Sequence, residues 1–135
     1  MSPEEIRQTL EGHMAGWLDA PVAYDGNATP PAVKAAQDAK TPWVRFSIAP
    51  SATVNASITD KPCPRRAGLI FIQVFTERGA GTAPARQITS SLTEYWENET
   101  LDSIGPLWTL EASEQRVGPD TSYYQLNLTI PYRAD

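Results

Sequence analysis

The chain has 135 residues, of which 41% are hydrophobic and 20% are charged. These values fit a single globular domain and exclude collagen, a coiled coil and a two-domain enzyme. The net charge of -5 disfavours duplex DNA as a ligand, because proteins that grip phosphates normally carry the opposite charge. One cysteine and one histidine, Cys63 and His13, leave neither an internal disulfide nor a multi-histidine metal site.

The N-terminal segment is acidic where a secretory signal would be basic and then apolar. No apolar run approaches the roughly 20 residues that span a bilayer. We therefore expect a protein that is made in a reducing compartment, stays there and has no membrane partner.

The first predicted element is an amphipathic helix from about Pro3 to Leu18. The sequence Ser2-Pro3-Glu4-Glu5 fits a capping box with proline at the first helical position. Apolar residues then recur at helical spacing: Ile6, Leu10, Met14, Trp17 and Leu18. Pro21 prevents the helix from continuing. Residues 22 to 24 are predicted as a short extended piece, and residues 25 to 42 as a loop with one helical turn near Val33 to Ala39.

Three strands are predicted next. A half-buried strand begins at Trp43, and a weaker polar strand from Thr53 to Thr59 lies in an arm from Pro50 to Arg66. The strongest strand runs from Arg66 to Thr76 and is apolar on both faces, which is typical of the middle of a sheet. Its two sets of apolar residues are Leu69, Phe71 and Phe75, and Ile70, Ile72 and Val74. We expect helices to cover one face, and residues 28 to 41 or a neighbouring subunit to cover the other.

A second helix is predicted from the cap residue Thr82 to about Asn98, with the apolar stripe Ile88, Leu92, Tyr95 and Trp96. Residues 107 to 117 and 122 to 132 then form a hairpin around Gly118. The order of helix, strands, helix and hairpin predicts an α+β fold, a mostly antiparallel β-sheet with two α-helices packed on one face. The whole chain, residues 1 to 135, forms one domain.

No catalytic, cofactor or metal site is predicted. His13 lies at the edge of the first helix's apolar stripe, and Cys63 has no nearby base in sequence, so both are interpreted as structural or incidental residues. Gly79-x-Gly81 before a helix resembles a dinucleotide loop, but Pro84 stands where the third glycine belongs. The acidic cluster Glu94, Glu97, Glu99 and Asp102 is interpreted as a solvated face of the helix end.

Several segments, taken in order, resemble the tail terminator-like proteins of long-tailed bacteriophages and prophages, which include phage-related domains of unknown function. The resemblance spans nearly the whole chain and rests on the order and spacing of common pieces. These are the acidic first helix, residues 21 to 27, Pro42-Trp43-Val44-Arg45-Phe46, Arg66-Ala67-Gly68 opening a strand, Gly79-x-Gly81 opening a helix, and the closing strand from Tyr123 to Tyr132. The stretch from Ala28 to Thr41 is longer than expected for the family.

The resemblance implies a structural protein without catalysis or cofactor. Its implied form is a homohexameric ring that sits on the last ring of the tail tube, stops polymerisation and provides the head-joining surface. Implied partners are further copies of the chain, the major tail-tube protein and a head-completion or connector protein, with DNA only passing through the ring. The implied location is the virion tail, and the host cytoplasm during assembly. Family members can be monomers in solution.

Two alternatives remain at this point. One is a head-closure or minor tail component, which the sequence does not separate from a terminator. The other is a small-molecule-binding module or weak enzyme, with Gly79-x-Gly81 or a pocket beside His13 as its site.

A subunit or tail-tube interface is predicted at the arm from Pro50 to Arg66. Arg65 and Arg66 are adjacent and can form charge-assisted pairs with carboxylates, although ordinary surface arginines are an equal alternative. We expect either arginine to meet acidic residues of a neighbour, the candidates being Glu94, Glu97 and Glu99. Because the arm has little apolar surface to anchor it, we expect it to become ordered only on assembly.

Overall fold

A computed structural model describes residues 1–51, 54–55, 64–119 and 122–135 of the chain. Cys63 and most of the predicted arm lie outside the described residues. In chain order the elements are α1 (Pro3–Met14), β1 (Val22–Tyr24), α2 (Pro31–Ala39), β2 (Trp43–Pro50), β3 (Val54–Asn55), β4 (Pro64–Glu77), α3 (Ala83–Trp96), β5 (Thr100–Leu101), β6 (Leu107–Thr109), β7 (Ser113–Pro119) and β8 (Tyr123–Ala134).

The sheet has the strand order β1-β2-β4-β8-β6-β5, with β3 paired to β4 and β7 paired to β8. Only the β1–β2 pair is parallel among the pairs described. The predicted α+β class with a mostly antiparallel sheet is therefore confirmed. β4 lies in the middle, as its two apolar faces predict, and pairs with β2 on one edge and β8 on the other. The predicted hairpin exists, but its first arm is divided into β6 and β7.

Helices α1 and α3 cover one face of the sheet, which we call the inner face. Its central residues, Ile70, Ile72 and Val74 of β4, are fully buried. They belong to one core with Leu10 and Met14 of α1 and with further apolar residues of α3 and β8: Ile88, Leu92, Trp96, Leu126, Leu128 and Ile130. Burying each such side chain contributes roughly 1.5–3 kcal/mol, so this layer accounts for most of the apolar stabilisation.

Helix α1 starts as predicted but ends earlier. The Ser2 hydroxyl accepts a hydrogen bond from the Glu5 amide, and the Ser2 amide donates to the Glu5 carboxylate, both at 3.1 Å. The helix ends at Met14, so the predicted end at Leu18 is wrong. The physical reason lies at Gly16, where the Tyr95 hydroxyl occupies the space that a Cβ would need and donates to the His13 carbonyl at 2.6 Å.

A third helix, α2, forms where a loop with one turn was expected. It packs Val33 and Ala36 against Trp43 and Phe75 on the sheet face opposite α1 and α3, which we call the outer face. The rings of Trp43 and Phe75 stack with centroids 4.3 Å apart. Residues 28 to 41 thus cover one end of the outer face, and the picture of two helices on one face gains a third helix on the other.

Helix α3 begins after Thr82, as predicted, although the Thr82 side chain makes no capping bond. Gly79 and Gly81 before it both have positive φ angles, which suits the turn interpretation of this pair. No helix in the described part of the chain is long and apolar enough to cross a membrane.

Candidate assembly surfaces

Arg65 and Arg66 lie on opposite faces of the sheet, because neighbouring side chains alternate along a strand. Arg65 shares the outer face with Leu69, and its guanidinium pairs with the Asp135 carboxylate at 2.8 Å. Both side chains of this pair are partly exposed, at 41% and 29%, so it is a surface ion pair of small energy, about 0–1 kcal/mol. The two arginines therefore cannot act as one cluster on a single partner surface.

Arg66 lies on the inner face, where it lines a groove between the start of α1 and the free end of β2. Its Nε donates to the Met1 carbonyl at 2.9 Å. The groove has a volume of about 300 Å³ and is formed mainly by apolar side chains, with Arg7, Glu11 and Asp25 among its polar members. The apolar members are Pro3, Ile6, Phe46, Ile48, Pro50, Ala67 and Tyr132. We call this site the β2 groove.

The polar groups of the β2 groove are largely engaged within the chain. Arg7 pairs with both Glu4 and Glu11, and this hydrogen bonding lowers the pKa of Glu4 to about 2. The Ser51 hydroxyl donates to the Ala67 carbonyl at 2.9 Å. Burial raises the pKa of the Tyr132 phenol above its ordinary value, so the ring stays neutral. A small-molecule site needs convergent polar groups, and these groups already have partners.

The acidic candidates lie on the helix side of the molecule, around the end of α3. Glu94 is exposed on the helix, whereas the Glu97 carboxylate accepts a hydrogen bond from the Ala112 amide at 2.9 Å. The Glu99 amide is held by the Thr109 hydroxyl at 2.8 Å, which fixes the chain between α3 and β5. Glu94 is thus the most accessible carboxylate of the three, and Glu97 has a structural duty as well.

Charge is distributed unequally between the two faces of the molecule. The helix layer and the turn after it carry mainly carboxylates against Arg7 and Arg86: Glu4, Glu5, Glu11, Glu94, Glu97 and Glu99. The outward positions of β2, β4 and β8 carry mainly arginines against Glu77: Arg45, Arg65 and Arg133. Opposite potentials on two faces of one chain favour association of one copy's front with the next copy's back.

His13 takes a structural place, as the sequence interpretation has it. Its ring stacks on Tyr95 with centroids 4.3 Å apart, and its Nε2 lies 3.3 Å from the Tyr95 carbonyl oxygen. Within the residues that the structure describes, no group of three or more His, Cys, Asp or Glu side chains is arranged to hold a metal ion. Cys63 falls outside those residues.

Sequence reasoning did not find the β2 groove or the exposed outer face beyond α2. The groove joins Ile6, Ile48 and Tyr132, which are far apart in sequence, so only the fold brings them together. A signal for the outer face existed: Leu69 and Phe71 were recognised as a second apolar set, and Leu69 is 41% exposed in the structure.

Comparison with protein families identifies the class. Residues 5–132 match the model of the phage tail terminator protein family. Because the match covers nearly the whole chain, the chain belongs to this family, and the resemblance found from the sequence is confirmed. It is therefore a structural protein of the phage tail.

Known structures and curated sequences add the following. One solved structure matches all of this chain and 96% of its own chain, with a TM-score of 0.71 and 21% sequence identity. At that identity the likeness shows the fold alone. No curated protein sequence matches the chain.

Proposed function

We propose that this protein is the terminator of the tail tube: a homohexameric ring that binds the last tube ring, stops polymerisation and provides the head-joining surface. The single observation that carries the proposal is the family match over residues 5–132. The opposite charges of the helix layer and the outer face support a ring of identical copies, because unlike faces associate head to tail. The role is structural and needs neither catalysis nor a cofactor.

The partners of this ring are the major tail-tube protein on one side and a head-completion or connector protein on the other. DNA passes through the ring without sequence-specific contacts, and the protein acts in the virion tail after assembly in the host cytoplasm. An acidic protein suits this role, because negative charge repels the phosphate backbone and a basic lining would retain it.

Electron microscopy of tails made without this gene tests the proposal. Loss of a terminator leaves tube polymerisation unchecked, so we expect overlong tails, with normal length restored by the wild-type gene in trans. Tails of normal length that fail to join heads would contradict the terminator role and indicate a head-closure component instead. Normal tails joined to heads would contradict both.

Charge reversal tests the arginine part of the interface. Arg65→Glu combined with Arg66→Glu should leave the monomer folded, because the Arg65–Asp135 pair is a surface contact. Assembly should suffer by several kcal/mol if the facing carboxylate is desolvated, and by about 1 kcal/mol or less if it stays wet. Arg78→Glu, an exposed site in the turn after β4, is the matched control. Restoration by Glu94→Arg would identify the partner carboxylate, whereas normal tail length with both arginines reversed contradicts the assignment.

A further inference from the structure

An apolar row crosses the outer face of the sheet from strand to strand. Ala49 is the register partner of Leu69, and Leu69 is the partner of Pro131. The Leu110 amide donates to the Pro131 carbonyl at 2.9 Å, which continues the row beyond β8. Leu69 is 41% exposed and Leu110 is 49% exposed. A single exposed leucine is ordinary, but apolar residues aligned across neighbouring strands form a continuous surface.

In the described part of the chain, the strand positions adjacent to this apolar row carry no carboxylate. The next row towards α2 is uncharged: Ser47, Phe71, Thr129 and Ser113. On the other side, the Arg133 guanidinium lies 4.9 Å from the centre of the Trp108 ring. The apolar row is therefore bordered by neutral and basic side chains, and a matching surface would be apolar with an acidic margin.

The β2 groove has this complementary character. Its floor is apolar, and Asp25 and Glu11 lie among its polar members. It is on the inner face, at the same end of the sheet, so that Ile48 lines the groove while its neighbour Ala49 belongs to the apolar row. Two different surfaces on opposite sides of one chain form a heterologous interface, which generates a closed ring or an open filament.

We propose that the apolar row of one copy docks into the β2 groove of the next copy in the ring. Leu69 enters between α1 and β2, and Arg133 approaches the acidic margin at Asp25. This inference rests on the proposed ring, and it specifies which surfaces of the subunits meet. A small molecule fits the groove less well, because Arg7, Arg66 and Ser51 already bind groups of their own chain.

Cross-linking between differently marked copies tests the contact. Two chains are co-expressed during tail assembly, both with Cys63→Ser, one carrying Leu69→Cys and the other Asp25→Cys. A short thiol-specific cross-linker should then join one chain of each kind. Leu18→Cys in place of Leu69→Cys is the matched control, since Leu18 is 85% exposed and lies outside the row.

Each outcome decides the proposal. Mixed dimers that disappear in the Leu18→Cys control support it. Dimers between two Leu69→Cys chains would show that like surfaces meet, and would overturn it. Absence of any product in tails that contain both chains would also overturn it, and would leave the β2 groove to residues of its own chain or to a different partner.

A functional measurement accompanies the cross-linking. Leu69→Asp with Leu110→Asp should give overlong tails while the monomer melts like the wild type, because both side chains are exposed. Leu18→Asp should give tails of normal length. If deletion of the gene lengthens tails but these row variants do not, the docking surface is wrong and the terminator role stands. If deletion leaves tail length unchanged, the terminator role is wrong, and the cross-linking still decides how copies meet.

Discussion

The inner and outer faces of the sheet are made from the same strands but are completed differently. The inner face is covered within the chain by α1 and α3, and Ile70, Ile72 and Val74 are fully buried there. The outer face is covered only at one end, by α2, among the described residues, and leaves Leu69 41% exposed. The difference shows that one face is sufficient for folding, so apolar residues on the other face are available for contacts outside the subunit.

The sharpest test of this difference compares two neighbouring residues of β4. Ile72→Ala should destabilise the monomer by about 2–5 kcal/mol, since Ile72 has no exposed surface and its replacement leaves a cavity. Phe71→Ala should cost less, because Phe71 is only half-buried on the outer face. Chemical denaturation of the monomer measures both free energies of unfolding. Equal losses would mean that the outer face is as well packed as the inner face, contrary to the comparison.

A smaller effect is expected at Gly68, where β4 passes beneath Tyr132. A Cβ at Gly68 would lie 2.6 Å from the Tyr132 hydroxyl and 2.7 Å from the Ala49 carbonyl oxygen. Because a backbone carbonyl cannot move aside, Gly68→Ala should cost about 1–3 kcal/mol through overpacking. Adding Tyr132→Phe removes only the hydroxyl contact, so most of the loss should remain. Complete rescue in thermal denaturation would show that the strand can shift locally.

The smallest effects are expected in the helix layer, where two glycines should respond in opposite directions. A Cβ at Gly12 would meet no other described part of the chain within 4 Å, so Gly12→Ala should stabilise α1 by about 0.5–1 kcal/mol. Gly16→Ala would displace the Tyr95 hydroxyl from the His13 carbonyl and lose about 0.5–1.5 kcal/mol. Melting temperatures measure both. Stabilisation by Gly16→Ala would contradict the close packing of α1 on α3.

Local patterns in the sequence predicted the elements but not all of their ends. The capping box at Ser2 correctly marked the start of α1, because its hydrogen bonds join residues three apart. The end of α1 depends on Tyr95, which is distant in sequence, and local spacing could not reveal it. A missed local signal existed for α2: Pro31 stands in its first turn, and Val33 and Ala36 are three residues apart.

The candidate interface was predicted less completely than the fold. Strand alternation alone implies that Arg65 and Arg66 face opposite sides, although the sequence interpretation treated them as one pair. Which face each would occupy depended on β4 being covered by α1 and α3 on one side, a long-range property. The apolar row joins β2, β4 and β8, whose register follows from pairing across the chain and not from any one segment.

The two apolar faces of β4 also bear on how the chain avoids misfolding. A slip of one residue against β2 and β8 would exchange the two sets of side chains, and the apolar residues alone would resist this weakly. Gln73 breaks the equivalence, because the slip would carry its amide into the core without assured hydrogen-bond partners. One polar residue in the middle of the strand thus penalises the mispaired sheet and helps to select a single native pairing.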